Sequence, residues 1–280
     1  MPAIDISIII PCYNDGRFLD SALQSITAAA GNYAYEVIIV NDGSTDSHTI
    51  EKLTALKAKG ILVIEQAQQG LGAARNKGIA VANGKYILPL DSDNLLLPPY
   101  LNAAIDYLEL QATCSVVYSA VEFFGEKTAI WSPGEFNLQR LMLYNYIDAC
   151  AVYRKELWTE LNGYDAKMPV MGVEDWDFWL RAAFKGKEFH FLNEVGYKYR
   201  YRADSLSRSW TMKEYNSYRQ FIEQKHRQFI SSKHVYDFFM YGEGQRRKTI
   251  LQLCFQLYFP RLFKWLNKTG LIKADKSYIR

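Results

Sequence analysis

The chain has 280 residues, of which 49% are hydrophobic and 22% are charged. This apolar content can bury a large core, either as one domain or as a domain with an appendage. The sequence has no run of about 18 apolar residues, which argues against a transmembrane helix.

The N-terminus and the cysteines both indicate a cytoplasmic protein. The first residues lack the basic start and the cleavage site of a signal peptide. The four cysteines lie far apart and form no Cys-X-X-Cys pair; they are Cys12, Cys114, Cys150 and Cys254. Such cysteines are mostly small buried apolar residues in a reducing compartment.

The net charge of +3 is unevenly distributed. Residues 1–207 carry 18 Lys+Arg and 25 Asp+Glu, a net charge of −7, whereas residues 208–280 carry 15 and 5, a net charge of +10. A basic C-terminal part indicates an acidic partner, either a membrane surface or a nucleic acid, or else a solvated helical face.

Apolar runs alternate with helical patterns over the first hundred residues. Short β-branched runs predict strands at 6–10, 36–40, 61–64 and 86–90. The segments between and before them predict helices at 17–30, 49–59 and 72–82. Continuous apolar strands separated by helices are typical of an α/β fold, with a mostly parallel, Rossmann-like sheet flanked by helices.

The pattern is less regular beyond residue 100. The predicted elements are a helix at 99–110, a strand at 115–118, a short helix near 137–144, a strand at 149–153 and a helix at 174–184. The rest of 120–147 is predicted to be irregular, and the chain after residue 208 to be helical.

Polar clusters lie at the carboxyl ends of the predicted strands. These clusters are residues 11–14, 41–46, 72–76 and 91–94. Parallel sheets bind ligands at the carboxyl ends of their strands. The pattern therefore predicts a ligand site at this edge.

Asp91 and Asp93 form an Asp-X-Asp at the end of a strand. Side chains alternate along a strand, so both carboxylates are expected on one side, where they could hold a divalent cation against a phosphate. The alternative is a solvated turn. The neighbouring polar clusters favour the cation site.

These motifs, in this order and spacing, resemble the inverting GT-A glycosyltransferases of family 2 from residue 6 to about 207. The matching segments are Ile8–Asn14, Val40–Asp46, Gly72–Gly78, Leu90–Asp93, Gly163–Asp165 and Glu174–Asp177. The resemblance implies a GT-A catalytic domain over 1–207, with a nucleotide-binding half (1–97) and an acceptor half (98–207). A basic, aromatic-rich helical extension would follow over 208–280.

The activity that the resemblance implies is metal-dependent transfer of a hexosyl or N-acetylhexosaminyl group from a nucleotide diphosphate-sugar to an acceptor hydroxyl, with inversion at the anomeric carbon. Asp42 would accept a hydrogen bond from a pyrimidine N–H. Because an ionised carboxylate only accepts, uracil or thymine is favoured and a UDP-sugar is the first expectation. A plain turn at Asp42 is the alternative.

The resemblance also assigns the other donor contacts. Arg75 would hold the nucleotide through its fork of donors, with a surface or capping arginine as the alternative. Pro11, Tyr13 and Asn14 would shape the base pocket, although Tyr13 could equally be ordinary packing.

By the same resemblance, Asp93 would ligate Mn²⁺ or Mg²⁺, and Asp91 would lie nearer the ribose or bind the metal through water. Mg²⁺ takes only one or two carboxylates, so a sparse ligand set is expected. Asn94 stands where many relatives have a further Asp.

Three carboxylates lie within the four residues Glu174–Asp177, so the residues alone single out no general base. The family pattern selects Asp175, which would remove the proton from the acceptor hydroxyl. Acidic residues in a first helical turn are the structural alternative. Glu174 and Trp176 would contact the acceptor, with packing as the alternative for Trp176.

One departure from the family pattern lies in residues 199–207. Relatives often have a His after a Tyr-Arg pair, and Arg202 stands in its place. A guanidinium can contact the diphosphate but cannot ligate a metal. We therefore assign Arg202 to nucleotide binding.

Three rival classes of protein compete with this interpretation. A sugar-nucleotide pyrophosphorylase would need a glycine-rich basic loop after the first strand, and a dinucleotide oxidoreductase would need Gly-X-Gly-X-X-Gly there. Neither is present. The remaining alternative is a catalytically degenerate carbohydrate-binding or scaffold protein of a polysaccharide assembly complex. Such a protein is expected to have lost Asp93 or Asp175.

The tail from 245 to 273 mixes aromatic, leucine and basic residues. This composition suits a helix lying on an anionic membrane, or a helix that packs on the protein. The expected acceptor is a glycan or a lipid-linked oligosaccharide, with the protein peripheral on the cytoplasmic face of the membrane. No nucleic acid is expected as a partner.

Overall fold

A computed structural model of the chain describes residues 3–168, 171–203, 205 and 212–230. The chain divides into two compact units, Met1–Ala203 and Asp204–Arg280. The first unit contains every strand described below, and the second contains one described helix.

The described strands form one mixed sheet. The strands are β1 (Ile6–Cys12), β2 (Tyr35–Asp42), β3 (Leu62–Gln66), β4 (Tyr86–Pro89), β5 (Leu95–Leu96), β6 (Cys114–Gly125), β7 (Ala129–Trp131), β8 (Val152–Arg154) and β9 (Glu188–Tyr201). Their order is β3-β2-β1-β4-β8-β6-β9-β5, and β7 pairs with β6 outside this path.

The described helices are α1 (Leu19–Ala29), α2 (Ser47–Ala58), α3 (Leu71–Val81), α4 (Tyr100–Leu110), α5 (Leu138–Leu143), α6 (Lys155–Glu160), α7 (Glu174–Phe184) and, in the second unit, α8 (Met212–Lys225). A single 3₁₀ turn, Gly16–Phe18, precedes α1. Each helix predicted within the first unit is present to within two residues.

The first four strands in the order are parallel. β1 lies between β2 and β4, with Ile9 opposite Ile38 on one side and Pro89 on the other. Every residue of β1 is buried, as expected for a central parallel strand covered on both faces. This half confirms the predicted α/β architecture.

The two faces of β1 pack against different helices. Ile8 and Ile10 belong to a core cluster that includes residues of α1, α2 and α4. Ile9 faces the opposite side and meets α3 at Gly78, where an added Cβ would lie 2.6 Å from Ile9 Cγ2. The missing side chain at Gly78 therefore lets α3 approach the sheet closely.

The second half of the sheet differs from the prediction. The strand predicted at 115–118 is present, but it runs from Cys114 to Gly125 and is followed by β7, so residues 120–125 and 129–131 are strand where irregular chain was predicted. β9, with 14 residues, was not predicted, nor were β5 and α6. β9 mixes charged and aromatic residues and is mostly half-buried, so it has no continuous apolar run. Its parallel pairing with β6, interrupted by register shifts, holds it in the sheet.

The strand predicted at 149–153 begins later, at Val152. Just before it, the backbone N–H of Cys150 donates to Asp148 Oδ1 at 3.0 Å, and Ala151 donates to the Ala149 carbonyl at 2.8 Å. These local bonds form a turn in place of the first part of the strand.

Cys12, Cys114 and Cys150 are buried and unpaired in disulfides, which confirms the prediction for these three. Cys254 and the predicted tail helix at 245–273 lie outside the described residues. Within the described part, no helix is long and apolar enough to cross a membrane. In α8, Arg219 and Glu223 form an i,i+4 ion pair at 2.8 Å.

Candidate active site

The carboxyl ends of β1, β2 and β4 meet at one edge of the sheet, because these strands are parallel neighbours. They carry the polar residues that the sequence singled out: Asn14, Asp42, Asp91 and Asp93. Arg75 on α3 and Asp175 on α7 join them from the helical layers.

Arg75 is the buried centre of the site, with 2% of its surface exposed. Its Nη2 lies 2.9 Å from Asp91 Oδ1, and its Nη1 contacts Glu174 Oε1. Burial disfavours the charged guanidinium, but Glu174 and Asp91 outweigh it and raise the pKa of Arg75. The Arg75 guanidinium thus links the segment after β4 to the start of α7 by ion pairs.

Glu174 is held from both sides. Its second oxygen, Oε2, accepts a hydrogen bond from the backbone N–H of Gly172 at 2.8 Å, and the residue is 3% exposed. Burial raises the pKa of Asp91, while the charge of Arg75 opposes that rise. In this structure Glu174 organises the site through Arg75, and its predicted contact with an acceptor stays a prediction.

Asp175 lies in the first turn of α7 and is 8% exposed. Its Oδ1 accepts from the backbone N–H of Trp176 at 2.8 Å, and its Oδ2 accepts from Asn145 Nδ2 at 3.0 Å. Burial, followed by the charges of Glu174 and Asp148, raises the pKa of Asp175 to about 8, with Arg75 opposing. A carboxylate with a pKa near neutral pH is suited to general base chemistry.

Asp93 contacts Arg202, which in turn holds Asp15. Arg202 Nη1 and Nη2 donate to the two carboxylate oxygens of Asp15 at 2.9 and 3.2 Å, and its Nε lies 3.3 Å from Asp93 Oδ2. Burial and the charge of Asp91 raise the pKa of Asp93 to about 7, with Arg202 opposing. The sequence identified Arg202 and Asp93 but missed Asp15.

Arg200 is a second guanidinium beside Asp93. It lies between two rings, 4.6 Å from the centroid of Phe18 and 4.4 Å from that of Phe124. Its Nε donates to the Asp93 carbonyl at 3.1 Å, and its backbone N–H donates to Asn94 Oδ1 at 3.0 Å. Residues two apart in an extended chain share a face, so the Arg-X-Arg spacing of Arg200, near the end of β9, and Arg202, just beyond it, is the signal that could have found it.

Asp93 is suited to a metal ion for which the protein supplies few ligands. Asp93 Oδ2 faces Arg202, whereas Oδ1 forms no hydrogen bond or ion pair with any described residue. The described part of the chain holds no group of three or more His, Cys, Asp or Glu side chains suited to a metal. Mg²⁺ commonly takes one or two carboxylates and completes its shell with water and substrate phosphate.

Asp42 holds the loop that precedes α3. Its Oδ1 accepts from Gln66 Nε2 at 2.7 Å and from the backbone N–H of Gln69 at 2.8 Å, and its Oδ2 accepts from Gly70 N–H at 2.8 Å. An ionised carboxylate offers about four acceptor positions, so room for one further donor remains. The predicted bond to a pyrimidine stays a prediction.

Asn14 joins two loops at the same edge. It has a positive φ of 55°, and its Oδ1 accepts from the backbone N–H groups of Thr45 and Asp46 at 2.8 and 3.0 Å. Tyr13 beside it is 41% exposed, so its ring is free for stacking, whereas Pro11 is buried within β1. Of these three predicted pocket residues, Tyr13 has the exposed side chain.

Trp176 points into the protein. It is 3% exposed, and its Nε1 donates to the Leu141 carbonyl at 2.6 Å. This burial supports the packing alternative for Trp176, between α5 and α7.

Four residues of the site lacked a prediction: Asp15, Asn145, Asp148 and Arg200. Asn145 and Asp148 lie in the segment between α5 and β8, where no motif singled them out. Only the folded chain brings this segment beside α7.

Comparison with known proteins identifies a family. The family described as "Glycosyl transferase family 2" matches residues 7–162. The chain is 27% identical over 226 residues to MJ1057, an uncharacterized glycosyltransferase of Methanocaldococcus jannaschii, with 76% of this chain and 77% of that protein covered. It is 30% identical over 229 residues to glycosyltransferase GlyA of Streptococcus pneumoniae, with 74% of this chain and 32% of that protein covered. It therefore spans about a third of GlyA.

A solved structure shares the fold. The crystal structure of S. aureus TarS 1-349 in complex with UDP-GlcNAc matches with a TM-score of 0.65 and 18% identity, covering 98% of this chain and 77% of that one. These findings confirm the predicted family and the predicted α/β fold of the GT-A type.

Proposed function

Since the chain belongs to glycosyl transferase family 2, we propose that it transfers a sugar from a UDP-sugar to an acceptor hydroxyl, with inversion at the anomeric carbon. The observation that carries this proposal is the buried Arg75, which joins Asp91 to Glu174. It couples the proposed donor side of the site to the segment that bears the proposed base, Asp175.

The donor would bind at the carboxyl ends of β1, β2 and β4. The exposed ring of Tyr13 can stack on a base, and the remaining acceptor position of Asp42 suits an imide N–H such as that of uracil. TarS has been crystallised with UDP and with UDP-GlcNAc. A UDP-sugar is therefore the first donor to try.

Asp93 would hold a divalent metal, Mn²⁺ or Mg²⁺, with Asp91 near the ribose or in contact through water. When bound, such an ion stabilises the negative charge that develops on the leaving diphosphate. Arg200 and Arg202 lie beside Asp93 and can bind phosphate oxygens directly. This cationic pair compensates for the sparse metal ligands.

Asp175 would act as the general base. As the acceptor oxygen attacks the anomeric carbon, Asp175 takes the hydroxyl proton, and the bond from that carbon to the diphosphate oxygen breaks on the opposite side. A positioned base contributes about 10²–10⁴ in rate. Arg75 keeps its charge throughout, because its pKa is raised.

The acceptor is proposed to be a glycan or a lipid-linked oligosaccharide, reached from the cytoplasmic face of a membrane. The support is the net charge of +10 in residues 208–280, since anionic lipids attract basic segments. Flotation of the full chain with phosphatidylserine-containing vesicles, compared with neutral phosphatidylcholine vesicles, tests the membrane contact. Equal flotation with the two would refute it.

The donor site is tested by thermal shift with nucleoside diphosphates and Mn²⁺. A ligand at about 100 times its Kd adds about 2.7 kcal/mol to stability by mass action. We expect a Mn²⁺-dependent UDP shift in the wild type that is lost in Asp93→Asn. The matched control is Asp20→Asn, because Asp20 is an exposed carboxylate on α1.

The outcome also separates the two candidate functions. A UDP shift followed by UDP release from a UDP-sugar supports the enzyme. No shift from any nucleoside diphosphate at millimolar concentration overturns the proposal, and the carbohydrate-binding or scaffold function then replaces it.

A further inference from the structure

Asn145 contacts the proposed base with one half of its amide. Its Nδ2 donates to Asp175 Oδ2 at 3.0 Å. The reverse orientation would place the amide oxygen against a carboxylate oxygen, and neither could then donate while Asp175 is ionised. The hydrogen bond therefore sets the orientation of the amide.

The other half of the amide has no partner. Asn145 Oδ1 is buried and accepts a hydrogen bond from no described residue. Buried polar atoms are nearly always hydrogen-bonded. An unpaired buried acceptor beside a base therefore indicates a donor that arrives with water or with substrate.

The neighbouring oxygens restrict where that donor lies. Each oxygen of Asp175 accepts one hydrogen bond, Oδ1 from the Trp176 N–H and Oδ2 from Asn145 Nδ2, and each keeps a second acceptor position. Of the two, Oδ2 is the oxygen bound to the Asn145 amide, so a substrate proton received there lies beside that amide. Oδ1 and Nδ2 of Asn145 branch from one carbon, so a hydroxyl bound at Oδ1 lies close to a hydroxyl bound at Asp175 Oδ2. Two neighbouring hydroxyls of one sugar ring fit this arrangement.

We propose that Asn145 binds the acceptor: its Nδ2 orients Asp175, and its Oδ1 accepts a hydrogen bond from the hydroxyl next to the one that Asp175 deprotonates. The proposal rests on the proposed function and deepens it, because it predicts an acceptor with neighbouring hydroxyl groups. It also assigns a role to the segment between α5 and β8.

The test uses the full chain and the variants Asn145→Leu and Asn145→Asp, with Asn137→Leu as the matched control. Asn137 caps α5, where its Oδ1 accepts from the Arg140 N–H, and it makes no contact with Asp175. UDP release from a panel of UDP-sugars with Mn²⁺ is followed across pH 5.5 to 9. It is measured with water as acceptor, and with methyl galactoside and its monodeoxy analogues.

The acid limb of the rate profile is the first readout. Asn145→Leu removes a hydrogen bond that favours the ionised base, so the limb should move up by about one pH unit. Asn145→Asp places a second carboxylate there and should move the limb further. The charged and titratable groups that face Asp175 are Glu174, Asp148, Arg75 and Tyr164. All stay in place in these variants.

Acceptor discrimination is the second readout. In the wild type one monodeoxy analogue should react at least tenfold more slowly than its parent, and Asn145→Leu should abolish that difference. If the acid limb of the rate profile lies at the same pH in both variants as in the wild type, the orienting role is overturned. A preserved difference in Asn145→Leu overturns the acceptor contact. The control should match the wild type in both readouts.

Failure of the proposed function gives a different signature. If the wild type releases UDP from no UDP-sugar, the transferase reaction fails. A ¹³C NMR titration of the Asp175 carboxyl in the wild type and in Asn145→Leu then tests the hydrogen bond by itself. A higher pKa in the variant supports the orienting contact, and an unchanged pKa overturns it.

Discussion

Replacing Arg75 by leucine tests whether the buried cation holds the site together. The change leaves two carboxylates without their counter-charge, and their side chains differ in exposure: 4% for Glu174 and 32% for Asp91. Removing one partner of a buried ion pair costs about 3–5 kcal/mol. We expect a loss of this size, with the larger share from Glu174, because the Asp91 side chain is partly exposed to water.

The loss should depend on pH. Burial raises the pKa of Asp91 in the wild type and Arg75 opposes that rise, so the variant raises it further. When the pKa of a carboxyl group is higher in the folded state than in the unfolded state, the group stabilises the fold at pH values below its unfolded-state pKa. That stabilisation is lost as the pH rises through the folded-state pKa. The destabilisation should therefore be larger at pH 8 than at pH 5.5.

Urea unfolding at both pH values measures this effect. Arg154→Leu is the matched control, since the Arg154 guanidinium donates to backbone carbonyls such as that of Cys114 at 2.8 Å. Its loss should be independent of pH. Adding Glu174→Gln to Arg75→Leu should restore a large part of the stability. A loss below about 1 kcal/mol, the level of an exposed pair, would refute the reasoning.

Three further changes have defined outcomes. Asp175→Asn should lower the rate of sugar transfer by about 10²–10⁴-fold. It should also raise the melting temperature more at pH 8 than at pH 5, because the raised pKa of about 8 makes the ionised carboxylate costly to the fold. An unchanged melting temperature at pH 8 would contradict this. Gly78→Ala should lower the free energy of unfolding in urea by about 1–3 kcal/mol through overpacking, because the new Cβ would lie 2.6 Å from Ile9. An unchanged free energy would mean that α3 can shift away from the sheet without cost. Arg200→Lys should weaken UDP binding about tenfold in a thermal titration, since a lysine lacks the planar fork, and an unchanged Kd would remove Arg200 from the donor site.

The sequence by itself predicted the half of the fold where local pattern and tertiary environment agree. The strands β1 to β4 are short apolar runs because a parallel strand is buried on both faces, so their identity is visible in the residues. Their carboxyl ends meet at one edge as a consequence of being parallel. The sequence therefore predicted that Asp42, Asp91 and Asp93 lie near one another.

The second half was harder to predict because its strands have mixed surroundings. β9 is half-buried along most of its length and mixes charged with aromatic residues, a pattern without a continuous apolar run. Its place in the sheet comes from pairing with β6, more than 60 residues earlier in the chain. No local window of the sequence contains that information.

The sequence also named residue types whose roles only the tertiary structure decided. Arg75 was predicted to touch the nucleotide, and that contact stays a prediction; the structure shows its guanidinium buried between Asp91 and Glu174. Asp15 meets Arg202 across 187 positions of sequence, and Asn145 meets Asp175 across 30. Motifs show which chemical groups a chain carries, whereas ion pairs and hydrogen bonds between distant segments exist only once the sheet has brought those segments together.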